Sequence, residues 1–332
     1  MSLLVHQIGP ACTLQDQGRA GFLDQGLSRS GAADQLALHE GAALLGQSPD
    51  CAALEMAGMG GTFEATQPVT IALTGAPMQA SIDGSPIVWN ASHVLEAGQR
   101  LTIGAVQQGN YGYLHVGGGI DAPLFLESRS AHLTAKVGRA AQAGDLLPIG
   151  PYSGSAGMKL RPDDRFAGGG LRALASFQTP LFDQETLDRF ARTVFRRGTR
   201  ANRMGMQLDS EGKGFAAKGQ LDILSEVITP GDIQMTGTGN PFILLPECQT
   251  TGGYPRIATV LPCDLPRAAQ TPAGGPLQFT FVTMDQAVAL HATYLADLSR
   301  LRAQVEPLVR DPHDIADLLS YQLIGGVISA TD

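Results

Sequence analysis

The residues best suited to chemistry crowd into a few polar, glycine-rich clusters. The most specific one joins Ala201-Asn202-Arg203-Met204-Gly205, Gln234, and the run Glu247-Cys248-Gln249-Thr250-Thr251-Gly252-Gly253-Tyr254-Pro255-Arg256. FILLP, just ahead of that run, reads as a buried strand that ends at Glu247 and hands over to a turn holding one amide, two hydroxyls and two glycines in five residues. Such a turn brings backbone N–H groups and side-chain donors to one point, as an oxyanion or a ureido-type ligand requires. A glycine turn whose threonine hydroxyls only satisfy the backbone has the same composition. Because Gly-Gly-Tyr-Pro fixes unusual dihedrals just past a buried strand, the turn is the favoured candidate site. The catalytic candidates are Gln249, Thr250, Thr251, Arg203 and Glu247. Asn202, Gln234, Gly252, Gly253 and Tyr254 are the substrate-binding ones. A carboxamide such as Gln249 offers a donor and an acceptor together, so it can match an amide edge where a carboxylate cannot.

Two further clusters carry charge. In Gln15-Asp16-Gln17-Gly18-Arg19, followed by Ser30-Gly31-Ala32-Ala33-Asp34, an Asp three residues before an Arg can form a loop-fixing ion pair. It can also present the guanidinium to a carboxylate or phosphate, which makes Asp16 and Arg19 binding candidates. Gly117-Gly118-Gly119-Ile120-Asp121 precedes Ser128-Arg129-Ser130, then Gly138-Arg139 and Gly144-Asp145. Arg129 could hold an anion there or be tied to Asp121 or Asp145. Cys248 is the one thiol inside a cluster, and a Cys–His nucleophile would need a histidine that the second half lacks before His291.

The elements that must position these residues read as mainly β. From Val69 to Ile149 the runs VTIALTG, MQASIDG, PIVW, LTIGAV, YGYLHV and LLPIG are broken by Gly, Pro and Asp at the short spacing of meanders and barrels. Pro151 to Gly170 is Gly-, Pro- and Ser-rich without apolar period, and is the candidate linker between residues 1–160 and 161–332. Beyond it come a strand at LRAL and a helix capped by Asp183, with Phe182 and Leu187 as staple, Leu187, Phe190, Val194 and Phe195 as apolar face, and Arg196-Arg197-Gly198 as its end. Strands follow at DILSEV, DIQMTG, FILLPE, IATV and QFTFVT. A helix from about Met284 to Val305 places Ala287, Leu290, Tyr294, Leu298, Leu301 and Val305 on one stripe, and another runs from Asp311-Pro312 to near Gly325-Gly326. The helix after Asp34 is scaffold.

Composition excludes several classes. The chain has 332 residues, 43% hydrophobic and 16% charged, enough to bury two medium cores. Its 41 glycines, about 12% against a typical ~7%, suit a β-rich enzyme better than a helical bundle. A net charge of −8 without a long basic run argues against nucleic acid and against anionic membrane surfaces. Neither CxxC, HExxH nor HxH occurs, so no metal site is expected. GTGNPF lacks the third glycine of a dinucleotide fingerprint, Gly212-Lys213-Gly214 lacks the P-loop spacing, and no G-x-S-x-G elbow exists. MSLLVHQIGP lacks the positive start and unbroken apolar core of a signal peptide, so the expected location is cytoplasmic.

Taken in order, TLQDQGRAGF…SRSGAADQ, ALEMAGMGGTF, IALTGA, YLHVGGGI, SRSAHL, NRMGMQL, GDIQMTGTGNPFILLPECQTTGGYPRIATV and the Asp264-to-Gln270 segment resemble the biotin-dependent carboxyltransferase family. That family includes allophanate hydrolase subunit 2, the KipI antagonist and the C component of 5-oxoprolinase. The resemblance spans about residues 5 to 328, with QTTGGYP and ANRMG its most specific motifs. It implies an α+β, mainly β fold with accessory helices, in two domains built on cyclophilin-like β-barrels.

The resemblance further implies a small amide substrate and a sister subunit resembling allophanate hydrolase subunit 1, the KipI-like protein. The chain carries neither a biotinyl-carrier motif nor an ATP-grasp region, so it is expected to be a subunit. The reading favoured is a subunit of an ATP-dependent 5-oxoprolinase, with ATP used in the complex and a third 5-oxoprolinase subunit present. One alternative is a carboxyltransferase served by biotin in trans, and another is a regulatory binding protein like the KipI antagonist. Three departures from the family pattern stand out: Glu247 where Asp is commoner, Glu127-Ser128-Arg129-Ser130-Ala131 for Gly-Ser-Arg-Ser-Thr, and Thr271-Pro272-Ala273-Gly274-Gly275 for Pro-Gly-Asp.

Overall fold

The computed structural model describes residues 1–217 and 224–309. The helix expected from Asp311 and the start of the DILSEV run, Asp222-Ile223, lie outside the described residues. The first half contains β1 (Ser2–Ile8), β2 (Cys12–Gln15), α1 (Gln35–Leu45), β3 (Ala53–Ala57), β4 (Gly61–Ala65), β5 (Val69–Gly75), β6 (Met78–Ile82), β7 (Ser85–Pro86), β8 (Ala91–Leu95), β9 (Arg100–Val106), β10 (Tyr111–Val116), β11 (Leu146–Pro148) and β12 (Met158–Lys159). The second half contains β13 (Gly169–Leu174), α2 (Gln184–Arg192), β14 (Phe195–Asn202), β15 (Gly205–Asp209), β16 (Glu226–Val227), β17 (Asp232–Met235), β18 (Pro241–Leu244), β19 (Thr251–Gly252), β20 (Arg256–Val260), α3 (Leu265–Gln270), β21 (Pro276–Val282), α4 (Met284–Arg300) and β22 (Glu306–Pro307).

In the first half a six-stranded sheet (β11-β1-β4-β9-β6-β7) and a seven-stranded one (β2-β3-β10-β5-β8-β12-β22), whose edge strand β22 comes from the second half, share one core that includes Leu3, Val5, Leu54, Phe63, Ile71 and Leu114. Strand β10 explains the layering. Alternate residues point to opposite faces of a strand, so Leu114 and Val116 enter that core while Tyr111 and Tyr113 face a second cluster with Ala33, Leu38, Leu245 and Ala269. That second cluster joins the two halves. Helix α1 is capped by Asp34, which accepts from the Ala37 amide, and it ends at Gly46 in the left-handed region (φ 64°). Gly41 lets α1 lie close: a Cβ there would sit 2.4 Å from the His115 ring.

The second half closes into a seven-stranded barrel, β13-β20-β17-β18-β15-β14-β21, with β13 and β21 pairing in parallel from Gly169↔Leu277 to Leu174↔Val282. Phe190 and Phe279 stack in its core at 4.9 Å between ring centroids, with Phe195 and Phe215 against Phe190. The two sheets and the barrel make the chain mainly β with accessory helices, as the sequence predicts.

Local expectations differ in three places. Helix α2 begins at Asp183 as expected but stops at Arg192, so Val194 and Phe195 are not on its face and Arg196-Arg197-Gly198 does not end it. Thr193 and Val194 are stiff β-branched residues, the Thr193 hydroxyl donates to the Arg189 carbonyl (2.7 Å), and Phe195 gains full burial by pairing with Leu277 in the barrel. Of PIVW only Pro86 is in a strand, and the following strand is β8. The last helix of the described residues ends at Arg300 in a 3-10 turn, Leu301–Gln304, before Val305. No helix among the described residues is long and apolar enough to cross a membrane.

Candidate functional site

Strands β14 and β15 pair with an irregularity: Arg197 faces Leu208, but four residues later Ala201 faces Met206. The extra residues re-aim the strand end. The Asn202–Gly205 turn therefore reaches across to the first half, and Arg203 goes with it. Arg203 is 7% exposed; its Nε donates to Glu247 (2.5 Å), its Nη1 to Glu55, and its Nη2 to the Gly31 carbonyl (2.6 Å). Glu55 also accepts from the Tyr113 hydroxyl (2.7 Å) and the Ala33 amide (2.8 Å). Burial works against the Arg203 charge, but Glu55 and Glu247 outweigh it and hold the guanidinium protonated above the usual arginine range.

His132 extends this buried cluster. Its Nδ1 lies 3.7 Å from Glu247 and accepts from the Ala135 amide (3.2 Å), which leaves Nε2 to donate to the Ser28 hydroxyl (2.8 Å). Burial lowers the His132 pKa, with Glu247 opposing and Arg19 and Arg203 assisting, so the ring is neutral at pH 7.

A cavity of about 540 Å³ opens on the barrel and brings Asn202, Gln234 and Gln249 together, with Met204, Phe242 and Cys248. Gln234 is 7% exposed, and its Nε2 has no hydrogen-bond partner among the described residues. A buried donor left unpaired costs about 1–3 kcal/mol, so this amide is a ready partner for a ligand carbonyl. Gly252 leaves room for it, since a Cβ there would lie 2.6 Å from Nε2. Asn202 Oδ1 accepts from the Met204 amide (2.8 Å), and Gln249 is exposed at the rim. Cys248 is buried, and desolvation pushes its thiol up to about 12, which removes its nucleophilic form at neutral pH.

The other sequence candidates lie outside this cavity. Thr251 and Gly252 pair with Val227 and Glu226 in a two-stranded ribbon, and the Thr250 carbonyl accepts from the Ile228 amide. Tyr254 is half exposed, and Gly253 lies between it and the ribbon. Arg256 anchors the turn through Glu226 (2.5 Å) and Asp232 (3.4 Å). Arg203 and Glu247 line a different cleft, of about 400 Å³, between the two halves.

Asp16 and Arg19 are close but form no ion pair among the described residues, contrary to the pairing their spacing suggests. Asp16 instead accepts from the hydroxyls of Ser128 (2.6 Å) and Ser130 (2.5 Å) and the Arg129 amide (2.6 Å). Burial alone would raise its pKa, yet these bonds hold it below the usual carboxylate range. Arg19 donates to the Ser130 carbonyl. Arg129 takes the bland course: its Nη2 lies 2.6 Å from Asp121. No group of metal-ligating side chains occurs among the described residues.

Sequence reading missed Glu55, His132 and Gln270. An acid inside the apolar run ALEMA was the available signal for Glu55. Gln270 links the halves by accepting from the Asn110 (2.9 Å) and Tyr111 (3.0 Å) amides and donating to Asp34 (2.8 Å).

Residues 25–281 match the family described as carboxyltransferase domain, subdomain A and B. The chain is 34% identical over 291 residues to the C component of 5-oxoprolinase from Escherichia coli K12, covering 86% of this chain and 93% of that protein. It is 33% identical over 304 residues to the same component from Haemophilus influenzae, covering 89% and 96%. The solved structure of TTHA0988 superposes with a TM-score of 0.76 at 30% identity over 84% of this chain, which spans 56% of that one. Urea amidolyase of K. lactis superposes with a TM-score of 0.81 at 21% identity over 94% of this chain and 21% of its own, a likeness of fold alone.

Proposed function

The chain belongs to the carboxyltransferase domain family, and from that premise we propose that it is one subunit of an ATP-dependent 5-oxoprolinase complex that opens the cyclic amide of 5-oxoproline to glutamate. The observation that carries this reading is the barrel cavity with the unpartnered Gln234 Nε2 beside Asn202 and Gln249. A lactam carbonyl gains negative charge on oxygen as its C–N bond is opened. Amide N–H donors already fixed in a partly desolvated cavity stabilise that charge without reorganising at the moment of reaction. Gln249 at the rim can orient the lactam edge, accepting from its N–H and donating to its carbonyl. In this reading ATP is handled by the complex, which also needs a sister subunit resembling allophanate hydrolase subunit 1 and a third protein, and the chain alone is inactive.

The test is co-expression with both sister proteins, size exclusion, and turnover of 5-oxoproline with ATP. The expected result is one complex whose Gln249→Glu variant folds normally and loses about a hundredfold in turnover, on the scale of one lost oxyanion donor, ~2.7–4 kcal/mol. Separate peaks at micromolar concentration, or near-normal turnover of the variant, would count against it. The family's own description supports a second reading, carboxyl transfer from carboxybiotin supplied in trans to urea or a related amide. That reading requires activity that depends on a biotinylated carrier, and a carrier-independent 5-oxoprolinase activity would exclude it.

A further inference from the structure

The cleft between the halves contains a cation that the fold does not use. Arg197 lines it together with Tyr111, Leu133, Ala201 and Met204. The Arg197 Nε is buried without a hydrogen-bond partner, and among the described residues no carboxylate lies within ion-pair distance of the guanidinium. Burial pulls its pKa down, with only Tyr111 opposing, yet an arginine stays protonated in any protein. Its neighbour Tyr111 is 5% exposed, and its hydroxyl makes no hydrogen bond among the described residues. Burial, with Glu55 adding to it, pushes that phenol up to about 12, so it retains its proton and can donate. The buried, unpartnered Arg197 Nε is costly for folding, and an anion in this largely apolar cleft would match the guanidinium while accepting from the neighbouring phenol.

We propose that this cleft binds a small monocarboxylate with an apolar body, its carboxylate on Arg197 and the Tyr111 hydroxyl and its body against Leu133, Ala201 and Met204. The planar fork of a guanidinium matches a carboxylate bidentately. Glu247 lines the same cleft, and although Arg203 neutralises it in part, its charge penalises a dianionic phosphate more than a singly charged acid. The site is distinct from the barrel cavity of the proposed amide chemistry and does not depend on that reading.

The experiment is calorimetric titration of the intact chain with cyclopentanecarboxylate, its uncharged isostere cyclopentanecarboxamide, and inorganic phosphate, alongside melting curves. The carboxylate should bind saturably, and the carboxamide and phosphate roughly tenfold or more weaker. Arg197→Gln should weaken the carboxylate by a similar factor and, in the absence of probe, melt at or above the parent temperature. Arg197→Lys should retain part of the binding, and Arg196→Gln, at an exposed neighbour, all of it. Equal affinity for acid and amide, equal affinity for phosphate, or no saturation with the acid at tens of millimolar overturns the proposal. Unchanged binding in Arg197→Gln overturns it too, as does a marked fall in that variant's melting temperature, which would make Arg197 a structural residue.

Discussion

Arg197 and Arg203 belong to one hairpin and line one cleft, yet the protein treats their charges in opposite ways. Arg203 is the more deeply buried and is fully matched, by two carboxylates and a backbone carbonyl from both halves of the molecule. Arg197 is less buried and its Nε is matched by nothing among the described residues. Burial therefore does not by itself distinguish a compensated charge from an uncompensated one. The partners do: a charge whose partners come from distant parts of the chain is part of the frame, whereas one without partners lowers stability and is available to a ligand. Gln234 in the barrel cavity is the uncharged counterpart of Arg197.

The strongest way to break this comparison is to remove the compensated cation. Arg203→Ala leaves Glu55 and Glu247 buried without their partner and should cost about 3–5 kcal/mol in urea unfolding at unchanged slope. Replacing all three together, as Arg203→Met with Glu55→Gln and Glu247→Gln, should recover much of that loss, because no charge is then left unmatched. A loss below about 1 kcal/mol for Arg203→Ala would put it in the same class as Arg197 and dissolve the distinction.

A pH series sharpens the comparison, since neither arginine titrates near neutrality. His115 is 3% exposed beneath α1, with Nε2 donating to the Thr74 hydroxyl (2.8 Å), which in turn donates to the Ala37 carbonyl (2.9 Å). Desolvation pushes its pKa down to about 3. Its folded value lies below the unfolded value of ~6.5, so the unfolded chain takes the proton first and stability falls as pH drops. Between pH 7 and 5 this one ring should remove roughly 2 kcal/mol, and His115→Asn should flatten that part of the profile. A parent profile as flat as the variant's would show that the ring is not held neutral.

The smallest expected effect lies in the loop that serves Asp16. Glu127 has φ 62°, in the left-handed region, at the position where the resembled family carries glycine. Glu127→Gly should relieve that strain, offset in part by the greater freedom of the unfolded chain, for a net gain of about 0.5–1 kcal/mol. A loss of stability would mean that the Glu127 side chain contributes contacts that outweigh its backbone.

Legibility followed the range of the interactions. Asp34 and Asp183 cap their helices where the sequence places them, because a cap depends on residues within one turn. The staple residues Phe182 and Leu187 both pack on the barrel core for the same reason. The end of α2 was not legible, since Phe195 leaves the helical pattern to pair with Leu277, 82 residues away. Of the strands before Val69, β2, β3 and β4 have only four or five residues each, and the apolar run of the seven-residue β1 is broken by His6 and Gln7, so their pairing partners elsewhere in the chain decide them.

By itself, then, the sequence determined the mainly β class, the local caps, the polar turn beside Gln249 and, through its motifs, the family. Those properties are carried by composition, period and contiguous residues. Only the tertiary structure decided that Asp16 is met by Ser128 and Ser130 rather than Arg19, that Arg203 is locked by Glu55 and Glu247, and that Arg197 Nε and Gln234 Nε2 are left without partners among the described residues. The physical reason is that the fate of a polar group depends on what else is buried with it. Those neighbours arrive from segments more than a hundred residues away, such as Glu55 beside Arg203, once the barrel hairpin closes on the first half.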